Sequence, residues 1–255
     1  MYDLKKHLLK YYKDGVRFDG RKIGEYRPVK VEYGVSESAE GSARVTIGGT
    51  VVIAGVKMAL ETPYSDTPDK GNLMVNAELL PLSSPDFEAG PPGIQAIELA
   101  RVTDRGIRES KAIDVKKLCL KAGEKVWSVM IDICSVNDEG NLFDAAGLAA
   151  IAALKDTRFP KLDGDVVNYE EKTDTPIPLD KEPVSITVLK IGDQLIVDPV
   201  SEEEKVADAR LTIAVCEDGT VSAMQKGGDT PLSVEEVDKM VELAVKTSGE
   251  LRKSL

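Results

Sequence analysis

The period of the apolar positions changes several times along the chain, and each change marks an element. From residue 2 to 13, Leu4, Leu8, Leu9 and the tyrosines recur among lysines at helical spacing, and Asp14-Gly15 stops the run, which predicts a short helix. A compact charged loop follows, Arg17-Phe18-Asp19-Gly20-Arg21. From Tyr26 the pattern becomes strand-like through PVKVEYGV, SARVTIGG and TVVIAGVKMAL, with Gly48-Gly49 as a hairpin signal between the last two. Residues 61–72 are loop chemistry, Asn72 to Leu82 returns to strand, and the proline-rich stretch from Pro81 to Gly93 is loop again. The spacing then predicts a helix from Ile94 to Ser110. Two β-rich runs follow, Val115 to Leu120 and Lys125 to Val136, before a turn at residues 137–141.

In the second part of the chain, Asp144 reads as the cap of a helix running to Asp156, AAGLAAIAALKD, so apolar that it must be buried between other elements. Residues 157–182 read as Pro- and Asp-rich loop or irregular strand. Pro183 to Gly192 and Gln194 to Val197 predict a hairpin, Ala209 to Cys216 a strand, and Glu217-Asp218-Gly219 a turn into another strand. The last element is a helix from Ser233, where Ser233 and Glu236 form a capping box. Ala43-Arg44-Val45-Thr46-Ile47 and Ala209-Arg210-Leu211-Thr212-Ile213 echo each other, and Gly-Thr-Val follows each. The expectation is an N-terminal helix, residues 1–15, and a single α+β domain, residues 16–255, built of two related halves.

Composition narrows the chemistry. With 42% hydrophobic and 30% charged residues, the 255-residue chain is typical of a globular protein with a real core. It has no apolar run long enough to span a membrane, and its N-terminus lacks the apolar core and cleavage site of a signal peptide. Cys119, Cys134 and Cys216 are scattered and there is no CxxC, so neither a zinc site nor a disulfide framework is expected, and a reducing cytoplasm fits. The one histidine, His7, lies in the lysine-rich first helix, which sets aside Ser/His/Asp and Cys/His catalysis. The net charge of −11 argues against an autonomous nucleic-acid binder, yet residues 101–121 hold seven basic residues against three acidic ones.

Three places carry candidate chemistry. On the helix from Ile94, Arg101, Arg105 and Arg108 fall within an arc of roughly 60°, with Leu99, Val102 and Gly106 on the far side and Ile94 and Ile97 nearer the arginines. Such a stripe either grips successive phosphates through bidentate guanidinium contacts or pairs internally, Arg101 with Asp104 and Arg105 with Glu109. The Asp138–Asn141 turn precedes the buried helix and offers backbone N–H groups, but Asp138, Glu139 and Asp144 make it a poor phosphate cradle. The carboxylates Asp198, Glu202, Glu203 and Glu204 lie ahead of the Ala209 strand; alone they define no reaction, and runs of like charge are commonly just hydrated.

Taken in order, Arg17-x-Asp19-Gly20-Arg21, Gly41-Ser42-Ala43 with Gly49-Thr50, Glu98-x-x-Arg101-x-x-x-Arg105-x-x-Arg108 and the Asp218-Gly219 hairpin resemble the RNase PH family over residues 17–250. Within that family the likeness is to the larger, non-catalytic RNase PH-like subunit of the archaeal exosome ring. The resemblance implies an α+β fold of two related βαβ-containing halves. It also implies a place in 3′→5′ phosphorolysis of RNA, in which phosphate attacks the last phosphodiester and a nucleoside diphosphate leaves.

Carried over position by position, the resemblance implies a degenerate active site. Active members bind phosphate at Gly-Thr/Ser-Arg before the buried helix, where this chain has Gly140-Asn141-Leu142. They place two aspartates six residues apart where this chain has Glu204 and Arg210, and an arginine neither donates the proton nor binds Mg²⁺. Arg210 is expected to pair with one of the neighbouring carboxylates and seal the site. Arg101 and Arg105 match positions that grip the RNA 3′ end, and Arg108 is expected to help them. No catalytic residue, metal or cofactor is expected. The implied partners are a catalytic RNase PH-like subunit in a hexameric ring (a trimer of heterodimers), RNA-binding cap proteins and single-stranded RNA. Two other readings remain: the chain is itself a phosphate-dependent exoribonuclease, or it is a scaffold whose arginines only bridge subunits.

Overall fold

The computed structural model describes residues 2–164 and 166–255 and places two sheets around one alanine-rich helix. Helix α1 (Tyr2–Lys13) precedes β1 (Val29–Tyr33), β2 (Gly41–Ile47), β3 (Thr50–Glu61) and β4 (Asn72–Leu79). After α2 (Ile94–Ser110) come β5 (Cys119–Lys121), β6 (Lys125–Asn137) and α3 (Leu142–Asp156). The second half holds β7 (Arg158–Asp163), β8 (Val166–Pro176), β9 (Val184–Ile191), β10 (Gln194–Val197), α4 (Ser201–Glu204), β11 (Ala209–Val215), β12 (Val221–Gly227) and α5 (Val234–Arg252).

The first sheet runs β1-β2-β3-β6-β4, with β5 also on β6; β4 lies parallel to β6, and the chain crosses between them through α2. The second runs β10-β9-β11-β12. There β10 and β11 both pair antiparallel with β9, so they point the same way and are joined through α4. Each half thus contains a βαβ unit. The two echoed segments each open an antiparallel hairpin, β2 turning into β3 and β11 into β12, but β3 is an inner strand and β12 an edge.

Helix α3 packs on β2 and β3 of one sheet and on β9 of the other. Every residue from Asp144 to Leu154 is buried. Alanine lets both sheets approach, while Leu148, Ile151 and Leu154 each contribute roughly 1.5–3 kcal/mol of burial. Glycines make both approaches close: a Cβ at Gly41 on β2 would come within 2.5 Å of the Ala153 carbonyl of α3, and one at Gly147 within 2.9 Å of Ser185 Oγ on β9. One continuous core results, from Ile47 and Val52 through Ile151 to Ile186, Ile213 and Met240. Helix α1 adds a smaller cluster, in which Leu8 and Tyr12 pack with Leu189, Ile191, Ile196 and Val206.

Two local expectations are corrected and a third is narrowed. Val115–Leu118 is a 3₁₀ turn rather than strand, because the Asp114 carboxylate accepts the Lys116 N–H (3.1 Å) and bends the chain. Of the loop or irregular strand expected over 157–182, the irregular strand is found: Arg158–Asp163 pairs with Val166–Pro176, and register shifts beside Pro160 blur its alternation. Asp144 is not the cap of α3. The helix starts at Leu142 after Asn141, which sits in the left-handed region at φ 64°, and Asp144 turns into the protein instead. The Ser233–Glu236 capping box is formed, with reciprocal bonds of 3.2 and 2.9 Å.

Candidate functional site

Helix α2 starts after Gly93 without a side-chain cap and ends where Lys111 turns left-handed, its N–H reaching the Arg108 and Ile107 carbonyls. Ala96, Leu99, Val102, Gly106 and Ile107 face inward, so the opposite stripe must face out. That stripe begins with Ile94 and Ile97, 86% and 50% exposed, and continues into exposed Arg101, Arg105 and Arg108. Among the described residues, neither Arg101 nor Arg105 has a hydrogen-bond or ion-pair partner. Arg108 is held: it bonds Asp104 through Nε (3.0 Å) and Nη2 (2.7 Å), and Nη2 also donates to the Leu73 carbonyl (2.9 Å). The internal pairings open to Arg101 and Arg105 do not form; Asp104 serves Arg108.

The acidic stretch before β11 separates into different roles. Asp198 is fully buried in a left-handed turn (φ 45°) and accepts bonds from Arg27 Nε (2.9 Å), Arg27 Nη2 (2.7 Å), Arg21 Nη1 (2.7 Å) and Asn141 Nδ2 (2.9 Å). Burial alone would raise its pKa, but the Arg27 contacts outweigh it and hold the carboxyl below the usual range. Glu203, also buried, is bound by Arg17 and takes the Tyr12 hydroxyl at 2.8 Å. Arg17 is 1% exposed and donates as well to the Val197 and Asp198 carbonyls, both at 2.8 Å. The Arg17-x-Asp19-Gly20-Arg21 loop is therefore a clamp on residues 197–203. Glu202 is exposed and has no partner among the described residues.

Glu204 is the member of the group that faces a cleft. Its Oε1 accepts the Asn141 backbone N–H at 2.9 Å, at the head of α3. The cleft, about 300 Å³, lies between α2, α3 and β11 and is lined by Glu98, Asp138, Leu142, Phe143, Glu204 and Arg210 among others. Glu204 is exposed along the cleft, yet the protein packed around its carboxyl raises its pKa to about 7 against the pull of the Asn141 N–H. Burial also raises Asp138. Asp144, deeper still, accepts the Tyr26 hydroxyl and Asn141 Nδ2, and burial pushes it to about 7. The cleft thus presents Glu98, Asp138 and Glu204 alongside Arg210, and the Asn141 N–H beside it is already taken by Glu204. Among the described residues no group of three or more His, Cys, Asp or Glu could hold a metal ion.

Arg210 lies on the wall of the cleft, and its partner differs from the one expected. The nearby carboxylates are engaged, Asp198 by Arg27, Glu203 by Arg17 and Glu204 by Asn141, so Arg210 reaches across to Glu98 on α2. Its guanidinium lies 4.0 Å over the Phe143 ring and against the bare Cα of Gly227, its cross-strand neighbour. The cleft stays open beside it, so Arg210 ties elements together without closing the site. The structure thus gathers Leu142, Glu204 and Arg210 around one cleft, with buried Asn141 behind it bonded to Glu204 and with Arg101 and Arg105 on the outer face of the helix that forms its wall. Glu98 was within reach of sequence reasoning, since it precedes Arg101 by one helical turn. The buried Arg27–Asp198 pair left no periodic signal.

Sequence profiles of the 3′ exoribonuclease family match the chain twice, domain 1 over residues 25–160 and domain 2 over residues 181–247. The chain is 47% identical over 238 residues to the exosome complex component Rrp42 of Methanothermobacter thermautotrophicus, covering 92% of this chain and 88% of that protein. To the exosome complex component Rrp42 of Pyrococcus horikoshii it is 46% identical over 255 residues, 98% of this chain and 92% of that one. A chain from the structure of an Archaeoglobus fulgidus exosome with RNA bound to the active site superposes with a TM-score of 0.90 at 45% identity, covering 98% of this chain and 96% of its own. A chain of an archaeal exosome core does so at 0.86 and 42%, covering 98% and 95%. Rice Rrp46, 20% identical, shares the fold with a TM-score of 0.71.

Proposed function

The chain belongs to the RNase PH family of 3′ exoribonucleases, and we propose that it is an exosome component of the Rrp42 kind: a non-catalytic subunit that grips RNA for a catalytic RNase PH-like partner. The ring would be a hexamer of alternating subunits in the cytoplasm, carrying RNA-binding cap proteins. One contrast supports this reading. Arg101 and Arg105 stand exposed on α2 and, among the described residues, unpaired, while the position that binds phosphate in active members is filled by Glu204 on the Asn141 N–H.

The chemistry follows from that contrast. Phosphorolysis needs a bound phosphate aligned with the last phosphodiester, positive charge around it and a proton for the leaving 3′ oxygen. In this chain the carboxylates of the cleft repel the phosphate, and Arg210 stands where active members have an aspartate. Two free guanidinium groups suit another role, since each can hold a backbone phosphate through two N–H bonds without reading the base. The acidic net charge of −11 is compatible with this, because the contact is local and the partner supplies the rest of the site.

The test is a double charge reversal, Arg101→Glu with Arg105→Glu, in the complex with the partner. RNA binding and degradation should both collapse while the two chains stay assembled. Unchanged RNA binding would turn the reading toward a scaffold.

A further inference from the structure

On the reading that Arg101 and Arg105 hold RNA phosphates, we propose that Glu98 and Arg210 are positioning residues for that grip: their ion pair sets the pose of α2 on the second sheet. Arg210 stands where active members carry an acid, and here it acts on RNA through α2 rather than on phosphate.

The geometry is that of a fixed joint. Arg210 belongs to β11 and its guanidinium is confined on several sides: the Phe143 ring of α3 at 4.0 Å, the Cα of Gly227 on β12, and Glu98 of α2. A Cβ at Gly227 would come within 2.6 Å of Arg210 Nη2, so a larger residue there would push the guanidinium out of this pose. Arg210 Nε is buried without a partner, a sign that the slot selects the flat guanidinium for its pose rather than for full hydrogen bonding.

The joint lies where α2 is least anchored. The helix follows a long proline-rich loop, has no side-chain N-cap, and exposes Ile94 and Ile97 in its first turns. Among the described residues, Glu98–Arg210 is the sole side-chain polar link between α2 and the second sheet; the other external bond of the helix, from Arg108, goes to β4. Glu98 precedes Arg101 by three residues and Arg105 by seven, on the same face. A tilt of α2 about its C-terminal half would therefore move Arg101 most. Bidentate contact to phosphate does not survive such a displacement, since it requires both N–H bonds at once.

The electrostatic alternative predicts the opposite sign. If Glu98 were only a negative charge beside the RNA track, Glu98→Ala would tighten RNA binding. A positioning role predicts that Glu98→Ala weakens it although a repulsive charge is gone. The experiment measures binding of a single-stranded RNA oligonucleotide to the complex of this chain and its RNase PH-like partner, over a salt series, for Glu98→Ala, Arg210→Met and Arg101→Ala/Arg105→Ala. Glu98→Ala and Arg210→Met should each lose about ten-fold in affinity and lower the slope of log K against log salt by about 0.7, one lost single-strand phosphate contact, though neither touches RNA. Parental affinity and slope in Glu98→Ala, or tighter binding, would overturn the proposal; reading the pair from the Glu98 side keeps it testable if Arg210→Met folds poorly. An unchanged affinity in Arg101→Ala/Arg105→Ala would instead overturn the parent reading.

Discussion

Glu204 Oε1 accepts the backbone N–H of Asn141 at 2.9 Å, so the chain's own carboxylate occupies the head of α3. A helix N-terminus attracts anions, and here the Glu204 carboxyl, ionised above about pH 7, stands at that place. Titration with inorganic phosphate should show no saturation below about 10 mM for the parent chain, which corresponds to less than ~3 kcal/mol of binding. Glu204→Ala, by freeing the N–H, should bind phosphate more tightly than the parent. Submillimolar binding by the parent would contradict this view of the cleft.

Asp144 gives the protein a pH-dependent stability of defined sign. Burial raises its pKa from the ordinary 3.8 to about 7, so the folded protein keeps a proton that the unfolded chain has released. Its contribution is complete below about pH 4 and is lost as pH rises through about 7. Asp144→Asn keeps the shape and does not titrate. Relative to the parent it should gain stability between pH 5 and pH 8, by on the order of 1–3 kcal/mol. Thermal denaturation at several pH values checks this, and a difference that does not change with pH refutes it.

The buried clamp predicts a sharp contrast within one acidic run. Arg17→Met leaves Glu203 buried and unpaired, a loss of roughly 3–5 kcal/mol in chemical denaturation. Glu202→Ala, one residue from Glu203 but exposed, should stay within about 0.5 kcal/mol of the parent. Similar costs for the two would mean that Arg17 is not a structural counter-ion.

Why the acidic run misleads, and the arginine helix does not, is a matter of range. Exposure of Arg101 and Arg105 follows from the period of α2 alone, because Leu99, Val102 and Gly106 must turn inward. The capping box at Ser233 and the hairpin at Gly48-Gly49 are equally local. By contrast, Glu98 and Arg210 are 112 positions apart, and Arg17 and Glu203 are 186 apart. Nothing in spacing links such pairs, so proximity in the chain points Arg210 to the wrong carboxylates. Asp144 resembles a cap because Asp favours helix starts; only the packed structure shows Tyr26 and Asn141 drawing it inward. The motif resemblance locates the cleft, but which carboxylate fills it depends on the turn at Asn141.

Salt dependence should separate the three arginines. Arg101→Ala and Arg105→Ala each remove a free guanidinium, and each should lower the salt slope of RNA binding by about 0.7. Arg108 is already committed to Asp104 and the Leu73 carbonyl, so Arg108→Ala should change the slope less than either. Equal effects for all three would show that the Arg108–Asp104 pair opens when RNA binds.

On the proposed reading this chain grips RNA but does not cleave it. The decisive measurement is release of nucleoside diphosphates from end-labelled RNA in the presence of inorganic phosphate, with this chain alone, the RNase PH-like partner alone, and the two together. This chain alone should release none, and the pair should release them faster than the partner alone. Phosphate-dependent release by this chain alone would contradict the reading.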